Sequence, residues 1–109
     1  MYAYKELYTI DFSEVKYYLE MHKVIKEALD FPDYYGENYD ALWDCLTDME
    51  GRETNIEIVG IDVIEEKFGQ EEADKLLSIF SEFKHDLNDA HSDEITITVI
   101  RGNERELLE

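Results

Sequence analysis

Hydrophobic and polar residues repeat along this chain with two different periods. Leu7–Phe12 is rich in β-branched and aromatic residues, and Asn55–Ile61 and Ile95–Val99 alternate apolar with polar positions, which predicts three strands. In Tyr18–Leu29 and Gln70–Asn88 the apolar residues instead recur at helical spacing, which predicts two amphipathic helices.

Shorter helical segments complete this pattern. The Phe31-Pro32 pair ends the first helix, and Asn38 is the predicted N-cap of a second helix that runs to about Asp48. A short helical turn is predicted at Asp62–Phe68. Because the strands are separated by helices, and crossovers of this length return parallel strands, the order predicts an α/β fold with a small three-stranded parallel sheet packed by helices.

The length of 109 residues fits a single domain over residues 1–109, with residues 101–109 as a polar C-terminal tail that the pattern assigns to no element. No uncharged run exceeds six residues, so we expect no membrane span and no secretory segment. Cys45 is the lone cysteine and forms no internal disulfide, which suits a reducing cytoplasm.

Charge changes the picture most. The chain has 10 Lys and Arg against 28 Asp and Glu, and its net charge of −18 opposes binding to nucleic acid. Between Lys26 and Arg52 there are eight acidic residues and no Lys or Arg. Three of those acids, Asp40, Asp44 and Asp48, are spaced to stack on one helix face. The other side of this helix carries an apolar stripe: Tyr39, Leu42, Trp43, Leu46 and Met49.

This acid face has two interpretations. Asp40 lies in the first helical turn, where the helix dipole favours an acid, and scattered acids also increase solubility. Like charges one turn apart, however, cost about 0.2–0.5 kcal/mol per pair. Three aspartates on one face without nearby cations therefore favour a functional surface. Such a surface can bind a basic partner in the way that the phosphate backbone of a nucleic acid does.

Catalytic and metal-binding patterns are weak. His22, His85 and His91 form no HxxxH or HExxH pattern, and no Asp-x-Asp-x-Asp-Gly loop is present. Three aspartates on one face offer similar environments, whereas acid–base catalysis needs two groups with different pKa values. We therefore expect no cofactor, no metal and no enzymatic activity. A small hydrolase that uses the acidic residues remains the enzymatic alternative.

Residues 31–47, FPDYYGENYDALWDCLT, resemble the signature segment of the barstar family of ribonuclease inhibitors. The resemblance continues more weakly through the helix with His22, the segment Ile79–Lys84 and the final Ile/Thr/Val strand, up to about Ile100. Tyr39 departs from the aliphatic residue usual in the family, Asp48–Asn55 lacks its aromatic and proline residues, and the tail from Arg101 onward has no counterpart.

The resemblance implies three parallel strands with helices on one side, and a partner. Barstar-like proteins block the active site of a guanyl-preferring ribonuclease, with the carboxylate at the position of Asp44 in the phosphate-binding site and Asp40 beside it. Glu82 matches a peripheral ion-pair position. The remaining implied contacts are Tyr34, Gly36, Asn38, Trp43 and Thr47.

The expected function is thus that of an intracellular inhibitor of a basic ribonuclease, monomeric when free and bound 1:1 to its partner. The alternative is an immunity protein or acidic regulator of a different basic toxin or enzyme. Neither nucleic acid nor membrane is an expected partner.

Overall fold

A computed structural model describes residues 7–31, 38–47, 54–91 and 95–108 of the chain. Within these ranges the elements follow in the order β1 (Leu7–Asp11), α1 (Tyr18–Leu29), α2 (Tyr39–Thr47), β2 (Thr54–Val59), α3 (Ile61–Phe68), α4 (Gln70–His91), β3 (Ile95–Arg101) and β4 (Glu104–Leu107). The predicted α/β architecture is confirmed. The helical turn predicted before Gly69 is a helix of eight residues.

The strands form one sheet in the order β1-β2-β3-β4, and the β1–β2 and β2–β3 pairs are parallel. The register places Tyr8, Ile56 and Ile97 side by side, and all three are buried. The residues between them along each strand point to the other face and are more exposed. The sheet therefore has one face packed by helices and one face turned to solvent.

The core lies between the packed sheet face and the helices. Phe12, Phe80 and Phe83 are among its largest fully buried side chains. On α4, Ala73 and Leu76 are buried together with the two phenylalanines, which confirms the apolar stripe predicted for this helix. Burying each such large side chain contributes about 1.5–3 kcal/mol.

The prediction of a three-stranded, all-parallel sheet is wrong, because β4 pairs antiparallel with β3. The two strands are joined by Gly102 and Asn103, with Arg101 paired to Glu104. Gly102 has a φ of 58°, which glycine adopts without steric cost at the first central position of a two-residue hairpin turn. The polar tail thus begins with a hairpin that adds a fourth strand.

Side-chain and backbone contacts hold this hairpin in place. The Leu108 N–H donates to the Ile97 carbonyl at 2.8 Å, and the Lys84 ammonium donates to the Leu108 carbonyl at 2.8 Å. An ion pair of 2.5 Å joins Arg101 to Glu65, and the hydrogen bond from Arg101 lowers the pKa of the Glu65 carboxyl. Arg105 forms a second ion pair, with Glu57.

α1 precedes α2 in the sequence and α4 packs against it, and contacts with these two helices set the position of α2. Asp30, directly after α1, caps this helix in the left-handed conformation (φ 56°), and the Phe31 N–H donates to the Lys26 carbonyl at 2.9 Å. α2 packs on α4. None of the helices in the described residues is long and apolar enough to cross a membrane.

Candidate partner-binding site

α2 has one buried side and one exposed side. Leu42 and Leu46 are fully buried, and Cys45 is buried with 6% of its surface exposed. Asp40 and Asp44 are exposed and lie one helical turn apart, about 6 Å along the helix axis. The apolar side therefore anchors the helix to the core, while the acidic side faces outward, as the spacing of these residues predicts.

Asn38 caps the start of α2. Its side-chain Oδ1 accepts a hydrogen bond from the Ala41 N–H at 2.8 Å, and its carbonyl accepts one from the Leu42 N–H at 2.9 Å. This geometry confirms Asn38 as the predicted N-cap. Helix capping alone is a sufficient reason for an asparagine at this position. A contact between Asn38 and a partner would come in addition to capping.

The two exposed carboxylates differ in their helical environment. Asp40 lies in the first turn of α2, where the positive end of the helix dipole offsets its charge. Asp44 lies near the middle of the nine-residue helix, where the dipole contributes little. The last turn of α2 contains no basic residue. The exposed side of α2 is thus a compact negative surface on a helix whose other side packs on the core.

Tyr39, the first residue of α2, joins this helix to α1 and α4. Its hydroxyl donates to Glu72 Oε2 at 2.7 Å, and the Tyr18 hydroxyl donates to the same oxygen at 3.2 Å. The Tyr39 ring stands edge-on to His22 with 5.3 Å between ring centroids, and the Lys75 ammonium lies 5.0 Å from its centroid. We call these five residues the Tyr39 cluster. Burial and the hydrogen bond to Glu72 raise the pKa of Tyr39, so its phenol remains protonated and keeps donating.

His22 and Cys45, two side chains of types that can act in catalysis, are buried and packed against other residues. His22 is 1% exposed and also stands edge-on to Tyr18, with 6.2 Å between centroids. Cys45 is part of the core cluster. Over the described ranges, no three His, Cys, Asp or Glu residues are grouped so that they could hold a metal ion.

A family model described as "Barstar (barnase inhibitor)" matches residues 6–99 of this chain. The chain belongs to the barstar family. One relative is the protein named "Putative ribonuclease inhibitor YrdF" from Bacillus subtilis (strain 168), which is 38% identical over 69 residues. The aligned region covers 63% of this chain and 75% of the relative. The family match ends inside β3, so the β3–β4 turn and β4 lie beyond it.

The structure places only part of the site that the barstar resemblance implies. Tyr34 and Gly36 lie outside the described residues, as do Asp48 and Met49 of the predicted helix faces. Thr47 is the last residue of α2. The placed residues are Asn38, Asp40, Trp43 and Asp44, at the start of α2 and along it, and Glu82, exposed on the α4 helix that supports it. Trp43 is partly buried and packs against the core.

The roles of Tyr18, Glu72 and Lys75 are not predicted from the sequence. In the sequence, Tyr39 is only part of an apolar stripe and a departure from the barstar pattern. A tyrosine on a buried stripe is itself a signal, because a buried phenol requires a hydrogen-bond partner. Its acceptor lies 33 residues away, and no local spacing rule identifies a partner at that distance.

Proposed function

We propose that this barstar-family chain is an intracellular inhibitor of a basic, barnase-like ribonuclease and that it blocks the active site of that enzyme with α2. Family membership and the name of the relative support an inhibitor rather than a catalyst. The observation that carries the mechanism is the pair of exposed carboxylates, Asp40 and Asp44, on one side of a helix within the matched region.

In this mechanism the Asp44 carboxylate takes the place of a substrate phosphate. A ribonuclease active site holds phosphate with cationic side chains, and a carboxylate on a helix packed against the core offers them a negative group in a defined position. Asp40 meets cations beside that position, and Glu82 on α4 forms an ion pair at the periphery. Tyr34, Gly36, Asn38, Trp43 and Thr47 complete the contact surface.

The charge of the chain sets the expected assembly. A net charge of −18 opposes self-association and attracts a basic enzyme, so we propose a monomer when free and a 1:1 complex with the ribonuclease. Such a complex protects the cytoplasm of the cell that makes the enzyme. Analytical ultracentrifugation of the free protein and of a stoichiometric mixture measures both states.

The decisive experiment is Asp44→Ala, measured against a panel of basic microbial ribonucleases. With a ribonuclease that the parent inhibits, we expect the variant to lose about 2–5 kcal/mol of binding free energy, because truncation leaves desolvated cations of the enzyme without their counterpart. That loss corresponds to a dissociation constant at least about 30-fold higher. Inhibition of RNA cleavage should weaken in parallel.

Asp62→Ala is the matched control, since Asp62 is an exposed aspartate in the first turn of α3 and the change in net charge is the same. It should alter the binding free energy by less than about 0.5 kcal/mol. Equal binding by the parent and Asp44→Ala would show that the enzyme docks elsewhere. Inhibition of a basic toxin other than a ribonuclease would favour the immunity alternative, and RNA hydrolysis by the isolated chain that is lost in Asp44→Asn would favour the hydrolase.

A further inference from the structure

α2 is too short to hold its own shape. It has nine residues, and isolated helices shorter than about 12–15 residues are marginal in water. Its orientation must therefore come from tertiary contacts. Leu42 and Leu46 bury one side of the helix, but the hydrophobic effect is non-directional, and both residues lie after the first three residues of α2.

The Tyr39 cluster supplies a directional contact at that end. Tyr39 precedes Asp40 directly, so the hydrogen bond from its hydroxyl to Glu72 restrains the turn that carries the first exposed carboxylate. The same Glu72 oxygen accepts from Tyr18 of α1, which holds the carboxylate between two donors. One acceptor on α4 thus fixes the position of α2 relative to both neighbouring helices.

The ring of Tyr39 is held independently of its hydroxyl. It stands edge-on to His22 on α1, and the Lys75 ammonium lies over its face. Edge-on aromatic pairs and cation–π contacts are both favourable interactions of the ring. A phenylalanine keeps both contacts and loses only the bond to Glu72, so this substitution isolates the hydroxyl.

We propose that Tyr39 is a positioning residue, whose hydrogen bond to Glu72 holds the first turn of α2, and with it Asp40, in the orientation that the partner binds. This inference rests on the proposed function, because Asp40 has to meet the partner for its orientation to matter. Affinity is gained because the ordering of the turn takes place during folding and is not repeated at each binding event.

The first test uses the free protein and needs no partner. Hydrogen exchange measured by NMR reports on the Ala41 and Leu42 amides, both of which donate to Asn38. In Tyr39→Phe we expect these two amides to exchange about tenfold faster relative to the Ile58 amide of β2, because a hydrogen bond to a carboxylate is lost. Tyr17→Phe makes the same chemical change at a side chain that is 72% exposed and should leave both rates unchanged. Unchanged exchange in Tyr39→Phe would overturn the proposal.

The second test is a double-mutant cycle with the inhibited ribonuclease. Tyr39→Phe should weaken binding about three- to tenfold in the parent and in a Glu82→Ala background, and by less than twofold in an Asp40→Ala background. A merely structural role would give the same loss in all three backgrounds and would refute the proposal. If Asp40→Ala and Asp44→Ala both bind like the parent, the proposed block of the active site by α2 fails, whereas a loss in those variants without any effect of Tyr39→Phe refutes only the positioning role.

Discussion

Gly60→Ala tests the close approach of two strand ends on which the sheet depends. Gly60 follows β2 directly and has a φ of 81°. A Cβ atom at this position would lie 2.6 Å from the Ser13 nitrogen and 3.0 Å from the Phe12 carbonyl carbon, both backbone atoms just beyond β1. Backbone cannot rotate away as a long side chain does, so the end of β1 has to move.

The expected loss has two parts. A left-handed backbone at a residue other than glycine costs about 1–2 kcal/mol, and forcing additional carbon into a closely packed site costs about 1–3 kcal/mol. We therefore expect Gly60→Ala to lower the free energy of unfolding by about 2–5 kcal/mol. Against a typical total of about 5–15 kcal/mol, this is a large fraction. Urea denaturation followed by far-UV circular dichroism and by the fluorescence of Trp43, the single tryptophan, measures it.

Gly102→Ala separates the two contributions. Gly102 also has a positive φ, of 58°, but a Cβ there meets no atom within 4 Å. The control should therefore lose only the conformational part, about 1–2 kcal/mol. A loss at Gly60 that is no larger than the loss at Gly102 would refute the argument from close approach, because the clash is the feature that distinguishes the two sites.

Two further predictions concern charge. If the acidic surface steers the encounter, the association rate with the inhibited ribonuclease should fall steeply between 0.1 and 1 M salt, where the screening length shrinks from about 10 Å to about 3 Å; a flat rate in stopped-flow measurements would exclude steering. Because the pKa of Glu65 is lowered by Arg101, this ion pair stabilises the fold fully above the ordinary glutamate pKa of about 4.3, and its contribution disappears as the pH falls through the lowered value. Glu65→Gln should accordingly be less stable than the parent at pH 7, with the difference in urea midpoint vanishing in strong acid, and a difference that persists there would contradict the assignment.

Periodicity predicts the first three strands and the helices because each of these elements has one buried side, and its apolar residues recur with the period that places them on that side. β4 was missed because its four residues, Glu104–Leu107, are all exposed, so no alternation of apolar and polar positions marks it. The turn was the available signal: Gly102-Asn103 is a two-residue sequence typical of hairpins. A strand whose pairing is fixed by a turn and by ion pairs, rather than by a buried face, lies outside what hydropathy can predict.

The candidate site divides in the same way. Asp40 and Asp44 are neighbours because four residues make about one helical turn, so the acid face follows from sequence spacing alone. The contact between Tyr39 and Glu72 depends on how α2 packs on α4, and the sequence contains no spacing that measures this. Local rules therefore identify which groups a partner meets, whereas the groups that orient them become visible only in the fold.

The negative charge around α2 and the hydrogen bond from Tyr39 act on a partner at different distances. Arg101 and Arg105 neutralise acids near the hairpin, while none of the ten Lys and Arg residues lies between Lys26 and Arg52, so the sequence around α2 remains strongly negative. That asymmetry acts over about a screening length, before contact, and governs the association rate. The bond from Tyr39 orders the first turn of α2 already in the free protein, but it affects binding only once Asp40 is within hydrogen-bonding distance of the partner, so its loss should appear in the dissociation rate. Salt should therefore change mainly the association rate, and Tyr39→Phe mainly the dissociation rate. The chain thus combines a long-range electrostatic attraction that depends on composition with a short-range orientation of Asp40 that depends on packing.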